Sequence, residues 1–328
     1  MNAERASGPS PHRLTVEEAL GPWHKDLDSL CSDYQSSSPF AHVQVRNFLN
    51  EDLAERLAKE FPKFSTDGLW DRYFNPLEVK LGISDQRRMP NVFQELFEVL
   101  CSDEVAEIMR RLTGIRDLRA DKLLYGSGLH CSPAGGKLDM HLDYSVHPLT
   151  GEERRLNLIL YLTPEWNAAW GGALDLADPK CERIVDSFPC EFNSAGIFET
   201  GDISYHGFPR PIACPAHVSR NSLALYYVSD LRPDVSRRFK AKFGPLGGVC
   251  SPGMRALYDI RVHRRIFPED VDTHMPGWHA EQATSLTAAI KPYAYSEDEA
   301  KGGAGGPDYA AEAEAALARA KARESDVT

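Results

Sequence analysis

The chain has 328 residues, 42% hydrophobic and 26% charged, which is ordinary for a soluble globular protein and excludes a wholly disordered one. A formal net charge of −11 argues against nucleic-acid binding as the main task, because phosphate contacts need a positive surface. Seven cysteines without C-x-x-C spacing exclude a zinc ribbon or a disulfide framework, and no stretch approaches the roughly 18 apolar residues of a membrane span, so a reducing, cytoplasmic location with no membrane partner is expected.

Residues 1–13, with Gly8, Pro9 and Pro11, read as a flexible leader. From 14 to 117 the pattern is mainly helical. Thr15-Val16-Glu17-Glu18 has capping-box spacing and predicts a helix start, while 42–46 alternates like a short strand. Asn50 precedes a second helix with Leu53, Leu57 and Phe61 at helical spacing. Further helices are expected at 91–100 and at 103–113, the latter between Ser102 and Gly114. This helical part is expected to pack on the outside of a barrel. From 118 to 230 short apolar runs are divided by glycine, proline and charged turns. Strands are placed near 120–131, 137–143, 155–163, 172–177, 182–187, 195–200, 202–206 and 218–229. Eight strands suit a double-stranded β-helix, a jelly-roll, cupin-like core, so the fold class expected is mainly β with flanking helices. In the third strand Asn157, Ile159 and Tyr161 share the face toward a pocket, and Leu158, Leu160 and Leu162 face the helices.

Residues 231–300 form a C-terminal extension, and 301–328 a Gly-rich linker with an Ala-rich tail. The extension carries two basic clusters: Arg232, Arg237, Arg238, Lys240 and Lys242, then Arg261, Arg264 and Arg265. Each is either a solvated face or, in part, a contact for an anionic substrate.

The chemistry concentrates on His141-Leu142-Asp143. Two residues apart on a strand, the imidazole and the carboxylate project from one face. A second imidazole from His206 would complete a set of two histidines and one carboxylate, the set that holds Fe(II) and leaves coordination positions open. Arg220 and Ser222 also share a strand face, where a guanidinium and a hydroxyl can grip one carboxylate. A metal set followed by a carboxylate clamp suggests a cosubstrate with a chelating end and an anionic tail. Arg210 competes as the clamp, but Pro209 and Pro211 hold it in an irregular segment. His130 and His147 compete as ligands by their nearness to His141; Pro148 and the turn after it place His147 in a loop, where a solvent or substrate-contact role is favoured. Cys131, Cys214 and His217 lack any zinc spacing.

Several pieces occur together and in order. They are Ser132-Pro133-Ala134-Gly135-Gly136, His141-x-Asp143, the run from Arg154 to Leu162, Trp170-Gly171-Gly172-Ala173-Leu174, His206-Gly207-Phe208-Pro209, and Arg220-Asn221-Ser222 with its apolar continuation. From about Leu129 to Ser229 the chain resembles the catalytic core of the iron- and 2-oxoglutarate-dependent oxygenases, most of all their prolyl 4-hydroxylase-like branch. Asn193-Ser194 departs from that pattern, where relatives often carry Asn-Arg.

The resemblance implies Fe(II) on His141, Asp143 and His206, with 2-oxoglutarate as cosubstrate, O2 as the other reactant and ascorbate as a candidate reductant. Arg220 would pair with the far carboxylate of 2-oxoglutarate, assisted by Ser222, and Tyr161 is a second candidate there. The usual outcome is hydroxylation of an unactivated C–H with release of succinate and CO2; ring closure or desaturation are alternatives, and the Asp143 carboxylate disfavours halogenation. A small-molecule or amino-acid substrate is favoured over a peptidyl proline. A non-catalytic binding protein on the same barrel, or a zinc- or manganese-dependent cupin-like enzyme, are the competing classes.

Overall fold

A computed structural model describes residues 13–65 and 68–282; the expected linker and tail at 301–328, and nearly all of the leader, lie outside the described residues. In chain order the first elements are helices α1 (Val16–Ala19) and α2 (Asp28–Ser36), strand β1 (His42–Arg46) and helix α3 (Glu51–Glu60). A hairpin follows, β2 (Asp71–Asn75) and β3 (Glu78–Ile83), then α4 (Asn91–Leu100) and α5 (Asp103–Thr113). The next strands are β4 (Arg119–Ala120), β5 (Gly128–Pro133), β6 (Lys137–Leu142), β7 (Glu153–Tyr161), β8 (Leu174–Ala177) and β9 (Ile184–Phe188). They continue with β10 (Ser194–Glu199), β11 (His206–Phe208), β12 (Ser219–Ser229) and β13 (Lys242–Phe243), before α6 (Pro252–Arg261), α7 (Pro268–His274) and α8 (Trp278–Gln282).

The helix boundaries follow their caps. Ser102 accepts a hydrogen bond from the Val105 amide, and α5 ends at Gly114 with φ 77°. Thr15 and Glu18 form the capping box, yet α1 lasts four residues, because Leu20 turns extended and bridges to Leu49. Tertiary pairing there overrides a good local start.

Every ladder in the sheet is antiparallel, in the order β1-β10-β7-β12-β5-β3-β6-β11-β8-β9. β3 joins the two halves: Leu81–Ile83 pair with β5, whereas Glu78 and Val79 pair with β6. The edge strands β1 and β9 then meet through side chains. His42 Nε2 lies 3.0 Å from Asp186 Oδ2, and Gln44 donates to the Pro189 carbonyl at 3.0 Å. The result is a nearly closed barrel with flanking helices, a double-stranded β-helix.

Period-2 alternation sorts the core. On β7 Leu156, Leu158 and Leu160 join the outer cluster with Phe93, Leu96, Phe97 and Leu112 of α4 and α5. Tyr161 and Ile159 face inward with Leu174, Leu176, Phe198, Phe208 and Phe243. Gly196 of β10 makes that interior possible, since a Cβ there would lie 2.5 Å from Phe188 Cδ2.

Three parts of the strand reading are corrected. The run expected as one strand at 120–131 is split, because the Asp121 carboxylate accepts from the amides of Leu123 and Tyr125 and folds 121–127 into turns. The strand expected at 202–206 is instead a turn followed by β11, with the Ser204 hydroxyl accepting from the Gly201 amide and Asp202 accepting from the Ser236 amide. The hairpin β2–β3 was not legible as strand, although β3 is central in the sheet. No helix of the described residues is long and apolar enough to cross a membrane.

Candidate active site

A cleft of about 800 Å³ opens into the barrel interior. His141 near the end of β6 and His206 at the start of β11 are register partners, and their ring centroids lie 4.4 Å apart. Each Nδ1–H donates to a carbonyl two residues back, Asp139 at 2.9 Å and Ser204 at 2.8 Å. Those bonds set the tautomer and turn both Nε2 lone pairs into the cleft. His141 Nε2 lies 3.6 Å from Asp143 Oδ1, and His206 Nε2 lies 3.4 Å from Asp143 Oδ2. All three residues are buried, and the three ligand atoms lie within 4.8 Å of one another. Among the described residues no other His, Cys, Asp or Glu set of three is this close.

The electrostatics prepare these groups as ligands. Burial, and then His141, push the His206 imidazole down to about 3, so it is neutral at pH 7. Burial pushes the Asp143 carboxyl up, but Arg154 with His206 and His141 overcomes this and holds it well below the usual carboxylate range. Arg154 Nη2 lies 2.9 Å from Asp143 Oδ2, and Asn157 donates to the same oxygen at 2.8 Å. Arg154 in turn donates to Asn157 at 2.9 Å, with its guanidinium 3.2 Å from the Tyr226 ring centroid and 4.8 Å from that of Tyr144. With Oδ2 engaged, Oδ1 is the oxygen left for a cation. The role of Arg154 was not legible: in sequence it is one of a pair of arginines before an apolar strand, and only the β7 face brings it to Asp143.

At the far wall, Arg220 of β12 is buried. Its Nε donates to the Gly172 carbonyl at 2.7 Å and its Nη1 to the Ser222 hydroxyl at 3.4 Å. Among the described residues no carboxylate pairs with this guanidinium, which packs between the rings of Phe208 and Tyr161 at 4.6 and 5.0 Å. Ser222 and Tyr161 are register partners. The Tyr161 hydroxyl is buried without a hydrogen bond, and burial pushes its ionisation up, leaving it a donor in search of an acceptor. An unpaired buried cation beside an orphaned hydroxyl is costly unless an anion arrives.

The other sequence candidates separate. Arg210 is at the surface, 3.9 Å from Asp175, and does not face the cleft. His147 is not at a solvent or substrate contact: it is buried, its Nδ1 accepts from the amides of Leu149 and Thr150, and its Nε2 faces Asp121 at 3.5 Å. It braces the 121–127 turns. His130 lines the cleft apart from the histidine pair, and burial, then Lys80, Arg220 and Arg154, push it well below its usual range. Of the basic clusters, Arg232 binds Glu153, Arg238 binds Asp202 and Arg264 binds Asp270, and none of the three lines the cleft, although Arg238 Nε also donates to the Asp143 carbonyl at 3.2 Å. Lys240, Arg261 and Arg265 do line it, together with Phe243, whose strand β13 pairs with β6 at His141. The extension is therefore part of the cleft wall.

A double-stranded β-helix with two histidines and a carboxylate converging in its interior has the architecture of a mononuclear non-haem iron oxygenase. Residues 127–228 match the family model of the 2OG-Fe(II) oxygenase superfamily, whose metal is Fe(II) and whose cosubstrate is 2-oxoglutarate. The donor set fits the ion, and the unpaired Arg220 with the orphaned Tyr161 hydroxyl fits a dicarboxylate. The chain is 28% identical over 181 residues to prolyl 3-hydroxylase OGFOD1 of Mus musculus, covering 51% of this chain and 29% of that protein, so it spans less than a third of that relative. It is similar to a Trichoplax adhaerens prolyl hydroxylase in complex with a hypoxia inducible factor peptide fragment (TM-score 0.46, 16% identity, 65% of this chain and 96% of that one). It is also similar to a Pseudomonas putida prolyl-4-hydroxylase (TM-score 0.43, 16% identity, 62% and 100%).

Proposed function

We propose that the protein is an Fe(II)- and 2-oxoglutarate-dependent dioxygenase that hydroxylates an unactivated C–H bond of a small, amino-acid-like molecule. The observation that carries this reading is the placement in one cleft of the His141, Asp143 and His206 donors and the unpaired Arg220. His141 Nε2, His206 Nε2 and Asp143 Oδ1 would hold the metal, and Arg154 and Asn157 keep Asp143 ionised and fixed in direction. Arg220 would take the far carboxylate of 2-oxoglutarate, with Ser222 and Tyr161 donating beside it. When bound, iron and 2-oxoglutarate supply with O2 the oxidant that cleaves the C–H bond, 2-oxoglutarate leaving as succinate and CO2. Ile159, Leu174, Phe208 and Phe243 line the same cleft and would give bound substrate an apolar wall. The free thiols of all seven cysteines suit a reducing, cytoplasmic setting.

A second reading, hydroxylation of a peptidyl proline, is favoured by the prolyl hydroxylases among the similar proteins. Succinate release with Fe(II), ascorbate and O2, screened over free amino acids, small metabolites and proline peptides, decides between them. Stimulation by small molecules is expected; stimulation by proline peptides alone would replace the first reading with the second. Indifference of turnover to 2-oxoglutarate and oxygen would remove both.

A further inference from the structure

The segment from Ser236 to Gly244 runs past the ends of both strands that carry the metal donors. Phe243 pairs with His141 in the β13–β6 ladder, and its ring stacks on that imidazole, 5.0 Å away with 22° between the planes. The Gly244 amide donates to the Met140 carbonyl at 3.0 Å. Upstream, the amides of Ser145 and Val146 donate to the Arg238 carbonyl at 2.8 and 3.1 Å. The Ser145 hydroxyl donates to the Ser236 carbonyl at 2.6 Å and accepts from the Arg238 amide at 2.8 Å. The loop that follows Asp143 is therefore laced to the extension through its backbone.

The Arg238 side chain, 13% exposed, reaches past that lacing to a third place. Its Nε donates to the Asp143 carbonyl at 3.2 Å, its Nη2 donates to the Gly201 carbonyl at 3.1 Å, and its Nη1 is ion-paired with Asp202. Gly201 and Asp202 open the turn that leads into β11. In that turn the Gly201 amide donates to the Ser204 hydroxyl at 2.9 Å, and the Ser204 carbonyl accepts from His206 Nδ1 at 2.8 Å. One guanidinium thus holds the backbone of one donor residue and the turn that aims another. The β6–β11 ladder does not do this, because its register ends at the pair His141 and His206, short of both Asp143 and the turn. Arg154 and Asn157 fix the Asp143 carboxylate from β7 and leave its spacing to the turn unset.

We propose that Arg238 is a positioning residue for the metal site: by bridging the Asp143 and Gly201 carbonyls it fixes the spacing between Asp143 and His206, and through that spacing it sets the affinity for Fe(II). The inference rests on the dioxygenase reading for the identity of the metal. Asp202 neutralises the guanidinium, so the bridge supplies geometry rather than net charge beside a cation site. A planar fork with N–H groups in fixed directions suits two carbonyls and a carboxylate at once, which a lysine ammonium on a flexible stem does not.

Anaerobic titration of the metal-free protein with Fe(II), read by competition with a chromophoric chelator, tests the proposal. Arg238→Met should weaken Fe(II) binding by about ten- to a hundredfold, the usual range for partners that orient metal ligands. Arg238→Lys keeps a charge for Asp202 but loses the fork, and should weaken it by about tenfold. In both variants the affinity for 2-oxoglutarate at saturating Fe(II) should stay within about threefold of the parent, since Arg220 stands on the far wall. Urea unfolding of the metal-free proteins separates positioning from stability: a purely structural role would lower the midpoint and leave the Fe(II) affinity of the folded variants unchanged. Fe(II) affinities within about threefold of the parent overturn the proposal, and Arg238→Lys alone decides should Arg238→Met not fold. A loss of 2-oxoglutarate affinity as large as that of Fe(II) would also overturn it, because the whole cleft would then have collapsed. A parent protein that binds no Fe(II) defeats the dioxygenase reading and this inference with it, whereas normal binding by the parent beside unaffected variants defeats the inference alone.

Discussion

Arg220→Met separates a binding role from a structural one, because the two have opposite signs. The side chain is buried, and one Nε–H and one Nη1–H are engaged by Gly172 and Ser222, leaving three N–H groups of the five free of protein acceptors. Two of them suffice for a bidentate carboxylate. Removing the fork from a buried carboxylate costs about 3–5 kcal/mol, and the lower part of that range applies while Ser222 and Tyr161 can still donate. The half-saturating 2-oxoglutarate concentration should therefore rise by roughly two to three orders of magnitude. Ser222→Ala should cost only about 1–2 kcal/mol. Without cosubstrate the outcome reverses. Arg220 is then a buried cation lacking a counter-charge, and the Gly172 carbonyl keeps a donor in the Cys190 thiol at 2.8 Å. Urea unfolding of the metal-free protein should show Arg220→Met unchanged or more stable by about 1 kcal/mol. Half-saturation within about threefold of the parent, or a destabilisation of about 3 kcal/mol, would refute the reasoning; a large rise for Arg210→Ala instead would move the clamp to Arg210.

His141→Ala and His206→Ala should each abolish stoichiometric Fe(II) binding and succinate release while leaving the circular dichroism of the sheet intact; a metal retained in both variants would show that the donors lie elsewhere. In the metal-free protein, Asp143 has a lowered folded pKa, so it contributes stability above the unfolded carboxylate value and loses it as pH falls through the folded one. Arg154→Met strands that carboxylate at a cost of about 3–5 kcal/mol at pH 7, and the stability gap to the parent should shrink below about pH 4, as urea unfolding at the two pH values checks. Gly196→Ala puts a methyl group 2.5 Å from Phe188 Cδ2 and should cost about 1–3 kcal/mol in unfolding free energy, an effect that a paired Phe188→Leu should partly relieve.

Local chemistry made much of this protein legible in its sequence. Capping at Ser102 and Gly114 bounds α5, and two-residue alternation sorts Leu158 and Leu160 from Ile159 and Tyr161, because these rules involve neighbours a few positions apart. His141, Asp143, His206, Arg220 and Ser222 follow from their order and spacing, Tyr161 from its strand face and the family resemblance, and folding brings the six into two groups within one barrel. Other features depended on partners far away in the chain. The 121–127 turns and α1 look like longer elements until the Asp121 carboxylate and the Leu20–Leu49 bridge compete for their backbone groups. The 71–83 hairpin has no strong pattern of its own, yet β3 is held in the sheet by ladders to β5 and β6. Nothing local marks Arg154 as the partner of Asp143, or Lys240 and Arg261 as cleft residues rather than solvated charges. Charge is read one residue at a time in a sequence, but its effect depends on distance and burial, and those exist only once β13 pairs with β6 and Arg261 of α6 reaches Glu78.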